Sequence, residues 1–202
     1  MNLPNQLTVA RLVLTLLFVV SLSLHWAYSY TTALALFVVA SITDYVDGEL
    51  ARRWNMETNF GRLMDPLADK VMMAAALICL AGDRVIPPWV AVIIIGREFL
   101  ITGLRMLAAS RGAVLPAEKL GKHKMVWQII AVIFFLLVMS ARELLAVKPL
   151  LNWWGDLSWP GQAALNLALA ILSKLLLLIA IGLTVYSGVG YVWKHRSYIS
   201  EM

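Results

Sequence analysis

The chain is divided into apolar stretches, each long enough to cross a lipid bilayer. Crossing takes about 20 mostly apolar helical residues, and six stretches come near or exceed this: Val9–Trp26, Thr31–Arg53, Phe60–Ala81, Trp89–Ala109, Met125–Ser140 and Ala163–Trp193. Only 14% of the 202 residues are charged, against about 25% for a soluble domain. In hydrocarbon every backbone N–H and C=O must find a partner within its own segment, and an α-helix achieves this. The expected fold is therefore all-α and integral to a membrane. It is a single domain over residues 1–202, with six transmembrane helices and a short N-terminal interfacial helix over residues 1–11. Pro87-Pro88 fits a helix start and Arg111-Gly112 a helix stop. The lone Cys79 lies in an apolar run, which excludes a disulfide framework and fits packing. The N-terminus carries no basic segment leading to a small-residue cleavage site. There is no internal repeat or low-complexity tract.

Cations orient such a chain, because Lys and Arg accumulate on the cytoplasmic side. With six spans, both termini share a side. The connections at 27–30, 82–88 and 141–162 hold Arg84, Arg142 and Lys148. The opposite flanks hold Arg11, Arg52, Arg53, Arg62, Arg111, Lys119, Lys122, Lys124, Lys194 and Arg196. Both termini are expected on the cytoplasmic side. Trp153, Trp154 and Trp159 then form an outer interfacial belt.

The segment Ser41–Lys70, SITDYVDGELARRWNMETNFGRLMDPLADK, carries the chemistry. Asp44, Asp47, Asp65 and Asp69 fall near the cytoplasmic ends of spans two and three. An ionised Asp at mid-bilayer costs on the order of 3 kcal/mol even on a lenient scale, so four of them need compensation. At about 100° per residue, Asp44, Asp47, Gly48, Ala51 and Arg52 share one stripe. Gly61, Asp65 and Asp69 share another, on a helix antiparallel to the first. Gly48, Ala51 and Gly61 let backbones or a ligand come close. Converging carboxylates cannot all stay ionised without added charge. Their hard oxygens favour Mg²⁺, Ca²⁺ or Mn²⁺, and the lack of nearby His or Cys argues against zinc. Ions held beside Arg52 suit a phosphate or pyrophosphate. Two other readings of the acids exist, ion pairs with Arg52, Arg53, Arg62 and Lys70, or a cation or proton path. The second leaves the Gly, Ala and Arg positions unexplained.

The pattern D-x-x-D-G-x-x-A-R, eight residues, then G-x-x-x-D-x-x-x-D is similar to the signature of the CDP-alcohol phosphatidyltransferase family. It matches at Asp44, Asp47, Gly48, Ala51, Arg52, Gly61, Asp65 and Asp69. The resemblance implies that Asp44, Asp47 and Asp65, with Asp69 sharing, hold two divalent ions, Mg²⁺ or Mn²⁺. It implies that Gly48, Ala51, Arg52 and Gly61 line the site for a CDP-linked lipid, bordered by Asn5, Thr8 and Arg11. Asp69 is the implied general base, and a homodimer the implied assembly. An interfacial polar face is the plainer reading of Asn5, Thr8 and Arg11.

The opening NLPNQLTVAR, the segment TNFGRLMDPLADK and the later GREFLITGLR and GKHKMVWQ resemble bacterial members that make phosphatidylglycerophosphate. For those members the lipid substrate is CDP-diacylglycerol and the acceptor sn-glycerol 3-phosphate. Residue chemistry agrees with an anionic acceptor. Arg97 and Arg105, eight apart and near one face of span four, join Lys122 and Lys124 on the cytoplasmic side, and Arg suits bidentate capture of phosphate. Arg97 can also pair with the adjacent Glu98 or with another helix. Lys119 reads as ordinary cytoplasmic bias. Met125 stands where those members often carry Thr, a missing hydroxyl contact. His25, His123 and His195 form no ligand pattern and read as satisfied interfacial side chains. The apolar faces of spans five and six are expected to meet membrane lipid or another subunit. Basic residues confined to helix ends, without aromatic interleaving, exclude nucleic acid as a partner.

Overall fold

The computed structural model describes the backbone of residues 3–54, 59–110, 119–147 and 160–196, and the side chains of residue 6 and of 8–43, 67–110, 124–144 and 164–196. The described elements are all helical: α1 (Leu3–Ser23), α2 (Ser29–Trp54), α3 (Asn59–Gly82), α4 (Pro88–Ser110), α5 (Lys119–Val147) and α6 (Pro160–Lys194). They fall into two compact units. One holds α1, α2, α3 and α5 from Val132 onward; the other holds α4, α5 up to Ala131, and α6 from Ala163.

Each predicted apolar run falls on its own helix to within about three residues at most ends, and α1 and α5 are the two that continue well beyond a predicted end. α1 continues unbroken from Leu3 to Ser23, so residues 1–11 do not form a separate interfacial helix. Pro4 in its first turn costs nothing, because the amide hydrogens there have no helical acceptor. No glycine or proline follows before Ser23 to break the helix. α5 extends past both ends of Met125–Ser140. Its polar first turns end the apolar run without ending the helix. α4 starts where the paired prolines place it, with Val90 N–H donating to the Pro87 carbonyl at 3.0 Å. The Trp153–Trp159 belt lies outside the described residues.

In the first unit, α1 packs on α2 and α3. Phe18 and Phe37 stack at 6.0 Å between ring centroids. Ala33, Ala40, Ala68 and Ala76 are buried, small enough to let the helix backbones close. α1 turns its polar residues inward: Thr8, Arg11, Thr15 and Ser21 are buried, while Val13, Leu16, Leu17 and Val20 are exposed. That inverts the amphipathic pattern of a helix in water and suits one whose outer face meets lipid.

The second unit follows the same rule. Thr184 and Ser187 are buried on α6, whereas Leu165, Leu167, Leu175 and Leu178 are exposed. Gln128 donates to Thr184 at 3.0 Å, which ties α5 to α6, and Ile101 and Ala108 pack on Tyr191. Arg97 crosses α6 closely at Gly188, where an added Cβ would lie 3.0 Å from the Arg97 Cγ and that side chain would have to shift by a few tenths of an ångström.

Among the described residues, α5 and α6 are long and apolar enough to cross a membrane. α1 and α2 hold shorter apolar segments, Thr8–Ser23 and Ser29–Thr43. Charge shortens the apolar run in α2 and interrupts it in α3 and α4: Asp44 and Asp47, then Asp65, Asp69 and Lys70, then Arg97, Glu98 and Arg105. Apart from Lys70 and Glu98, these are the residues that suggested a site.

Candidate active site

The motif occupies the C-terminal half of α2 and the N-terminal half of α3. The backbone is helical at Asp44, Asp47, Gly48, Ala51 and Arg52, and again at Gly61, Asp65 and Asp69. The helical spacing assumed for both stripes is therefore the spacing the chain has. The side chains of Asp44, Asp47, Arg52 and Asp65 lie outside the described set, as does that of Asn5. Among the described residues no three His, Cys, Asp or Glu side chains gather as a metal site.

Asp69 is the signature acid whose surroundings are described. Arg11 Nη1 donates to its Oδ1 at 2.8 Å, an ion pair from the middle of α1 to α3. Arg11 has 0% of its side chain exposed, while Asp69 retains 29%. One partner is thus fixed in the packing and the other still reaches accessible space. Thr8, one turn before Arg11, is fully buried, so the inner face of α1 near Asp69 is polar. Of the three α1 residues expected to border the nucleotide, Arg11 reaches the motif through Asp69, and the side chain of Asn5 lies outside the described residues.

A second polar cluster lies within the other unit. Arg97 lies over α6, its Nη2 donating to Ser187 Oγ at 3.1 Å and its Nη1 to Glu98 Oε1 at 3.4 Å. Lys124, buried to 4% exposure, pairs with the same Glu98 oxygen. Arg97 and Lys124 thus meet at one carboxylate in a largely buried setting. Arg105 and Met125 are exposed. Lys122 and Lys119 carry side chains outside the described set.

Sequence reasoning gave Glu98 no part in the site beyond pairing with Arg97, and it placed Arg11 only at the border. An acid inside the apolar run of α4 was the available signal for Glu98. An arginine between Ala10 and Leu12 was the signal for Arg11. His25 and His195 are satisfied as expected, His195 through Nδ1 and the Tyr191 carbonyl at 2.9 Å. His123 lies outside the described side chains. Cys79 is a half-buried free thiol in α3.

Comparison with known proteins bears on this arrangement. Residues 1–186 match the CDP-alcohol phosphatidyltransferase family. The chain is 43% identical over 148 residues to the CDP-diacylglycerol–glycerol-3-phosphate 3-phosphatidyltransferase of Bacillus subtilis, covering 67% of this chain and 77% of that one. It is 33% identical over 206 residues to the enzyme of the same name from Pseudomonas fluorescens, covering 96% and 92%. A probable phosphatidylglycerophosphate synthase of Mycobacterium tuberculosis is 42% identical over 142 residues, 69% of this chain and 68% of that one. A helical backbone that carries every defined position of the signature, matched along nearly its whole length, makes this chain a member of the CDP-alcohol phosphatidyltransferase family.

Proposed function

We propose that the protein is a phosphatidylglycerophosphate synthase, transferring the phosphatidyl group of CDP-diacylglycerol to sn-glycerol 3-phosphate with release of CMP. The observation that carries this reading is the complete signature on helical backbone, in a chain similar over 96% of its length to a relative bearing that activity in its name. The acceptor assignment draws added support from the cations Arg97, Arg105, Lys122 and Lys124, whose chemistry suits a phosphate-bearing alcohol and would repel a cationic one.

The family is generally divalent-metal dependent. The donor set fits such an ion: Asp44 and Asp47 are three apart, Asp65 and Asp69 four apart, and all offer hard carboxylate oxygens. Two ions, Mg²⁺ or Mn²⁺, held by Asp44, Asp47 and Asp65 with Asp69 sharing, would supply charge neutralisation at the pyrophosphate. Gly48, Ala51, Arg52 and Gly61 form the wall against which the CDP group lies, with Asn5 and Thr8 at its border. Arg97, Arg105, Lys122 and Lys124 receive the acceptor phosphate. Asp69 takes the proton of the acceptor hydroxyl as its oxygen bonds to the lipid-bearing phosphorus. The bond from that phosphorus to the bridging oxygen breaks, and CMP leaves with that oxygen and the electron pair.

The chain acts as one membrane domain of six helices, with both termini and the site facing the cytoplasm. The lipid tails stay in the bilayer while polar reactants arrive from the aqueous side, and two copies associate. The test is purified protein in detergent with labelled CDP-diacylglycerol, offered glycerol 3-phosphate, inositol phosphate or phosphatidylglycerol. CMP release dependent on glycerol 3-phosphate is expected, with a loss of about 10³-fold or more in Asp69→Asn. Preference for another acceptor overturns the named activity, and full turnover by Asp69→Asn removes it as the base.

A further inference from the structure

Arg11 is the largest fully buried side chain among the described residues. Taking a guanidinium out of water costs several kcal/mol unless it is paired. Apolar replacement of a whole buried ion pair is often neutral or stabilising. Packing alone therefore gives no reason for an arginine at this point of α1, where the exposed neighbours are Val9 and Val13. What the residue does is visible in its contact. A rigid, fully enclosed guanidinium donates at 2.8 Å to the carboxylate that ends the signature motif, 58 residues along the chain. Its position on α1 is set by the same buried stripe that carries Thr8, Thr15 and Phe18.

We propose that Arg11 is a positioning residue for Asp69. It fixes one carboxylate oxygen from a second helix, so that Asp69 meets the acceptor hydroxyl in a single orientation. The inference rests on Asp69 being the base, and it adds that α1 is part of the catalytic apparatus through this contact. Misplacing a reacting group by about 1 Å can cost on the order of 10²-fold in rate. A lost anchor should therefore appear in kcat and not in substrate affinity.

The experiment compares Arg11→Gln, Arg11→Lys, Thr15→Val, Asp69→Asn and the Arg11→Gln/Asp69→Asn double variant, each purified in detergent and checked for a cooperative melt. Arg11→Gln is expected to lose about 100-fold in kcat with KM for both substrates nearly unchanged. Arg11→Lys should recover part of that loss, because an ammonium keeps the charge but not the planar fork. Thr15→Val disturbs the same buried stripe without touching Asp69 and should keep its kcat. The double variant should be no slower than Asp69→Asn alone, since both changes remove one function.

Wild-type kcat in Arg11→Gln beside an inactive Asp69→Asn would overturn the inference while leaving the proposed reaction standing. An active Asp69→Asn would remove Asp69 as the base, and the inference with it, while the reaction itself stood. A rise in KM for CDP-diacylglycerol with kcat preserved would assign Arg11 to the nucleotide instead. An equal loss of kcat in Thr15→Val would reduce the contact to packing. Should Arg11→Gln not be recovered folded, Arg11→Lys decides: a lower kcat at constant KM supports positioning, and an unaltered kcat overturns it.

Discussion

His25 shows how a single residue closes a helix and acquires a pH dependence by doing so. It leaves α1 with φ of 46°, in the left-handed region, which reverses the chain toward α2. Its ring lies between two acceptors, Nδ1 at 2.9 Å from the Ser23 carbonyl and Nε2 at 3.2 Å from Asp83 Oδ1, and only the protonated ring donates to both at once. Asp83 also accepts from the Tyr30 hydroxyl at 2.6 Å, so it joins the turn after α3 to the start of α2. The Ser23 carbonyl first, and the Asp83 carboxylate second, raise the His25 pKa above its ordinary 6.5. A raised folded-state pKa means that the contribution is full below the unfolded value and fades as pH climbs through the folded one. The expected result is a slightly falling melting temperature from about pH 6.5 upward, with a smaller slope in Asp83→Asn. NMR titration of the His25 ring should show its midpoint move toward the ordinary value in that variant, but not all the way, because Ser23 remains. An unchanged midpoint would remove Asp83 as a cause.

Among elements, α2 has the most unusual beginning, since its cap comes from another helix. Glu143 on α5 accepts from Tyr30 N–H at 3.1 Å and Thr31 N–H at 2.9 Å, and from the Ser29 and Thr31 hydroxyls. Those amides are among the donors that a helix leaves unpaired at its start, and a carboxylate there also meets the positive end of the helix dipole. Charge-assisted bonds of this kind contribute about 1.5–3 kcal/mol each before the carboxylate's partial solvation is discounted. Glu143→Gln is therefore expected to lower the melting temperature by several degrees. CMP release measured well below the melt should be unaffected, because Glu143 belongs to the anchoring of α2 and not to its motif. Equal melting curves for variant and parent would show the cap to be dispensable. This contact also marks what could be read beforehand. The helices and their order were legible, because each needs a long apolar run and α4 announces its start with Pro87-Pro88. The far ends of α1 and α5 were not, since hydropathy measures the length that meets hydrocarbon while a helix continues wherever nothing breaks its backbone bonds. In the site, Asp69 was legible by its spacing from Asp65. Its partner Arg11 was not, nor was Lys124 as the partner of Glu98. Such pairs depend on the register in which distant helices pack, which no local pattern encodes.

Across the whole molecule, the outer faces of the described helices are more apolar than those of a protein dissolved in water. Arg11, Thr15, Lys124, Gln128, Thr184 and Ser187 are buried beside an apolar core, and exposed positions along α1 and α6 hold leucine, isoleucine and valine. The most apolar window of α6 is only 17% buried, so this helix is not the core of a soluble fold. Its outer face needs an apolar surrounding, either lipid or the apolar surface of another subunit, and the two differ from water in the same testable way. The difference is testable at Leu178, which is 64% exposed and lies near the middle of a helix running from Pro160 to Lys194. In water, Leu178→Lys would be harmless and would aid solubility, because an exposed leucine carries no packing. At the centre of a bilayer the same change costs about 3 kcal/mol on the insertion scale, with no interface within easy reach of the ammonium. Lower membrane-integrated yield is therefore expected for Leu178→Lys, with more of the chain released by alkaline carbonate. Lys at the helix end, in Trp193→Lys, should be tolerated, since there the charge reaches the headgroups. If Leu178→Lys integrates as well as the parent, α6 does not present that face to an apolar surrounding and the assignment fails.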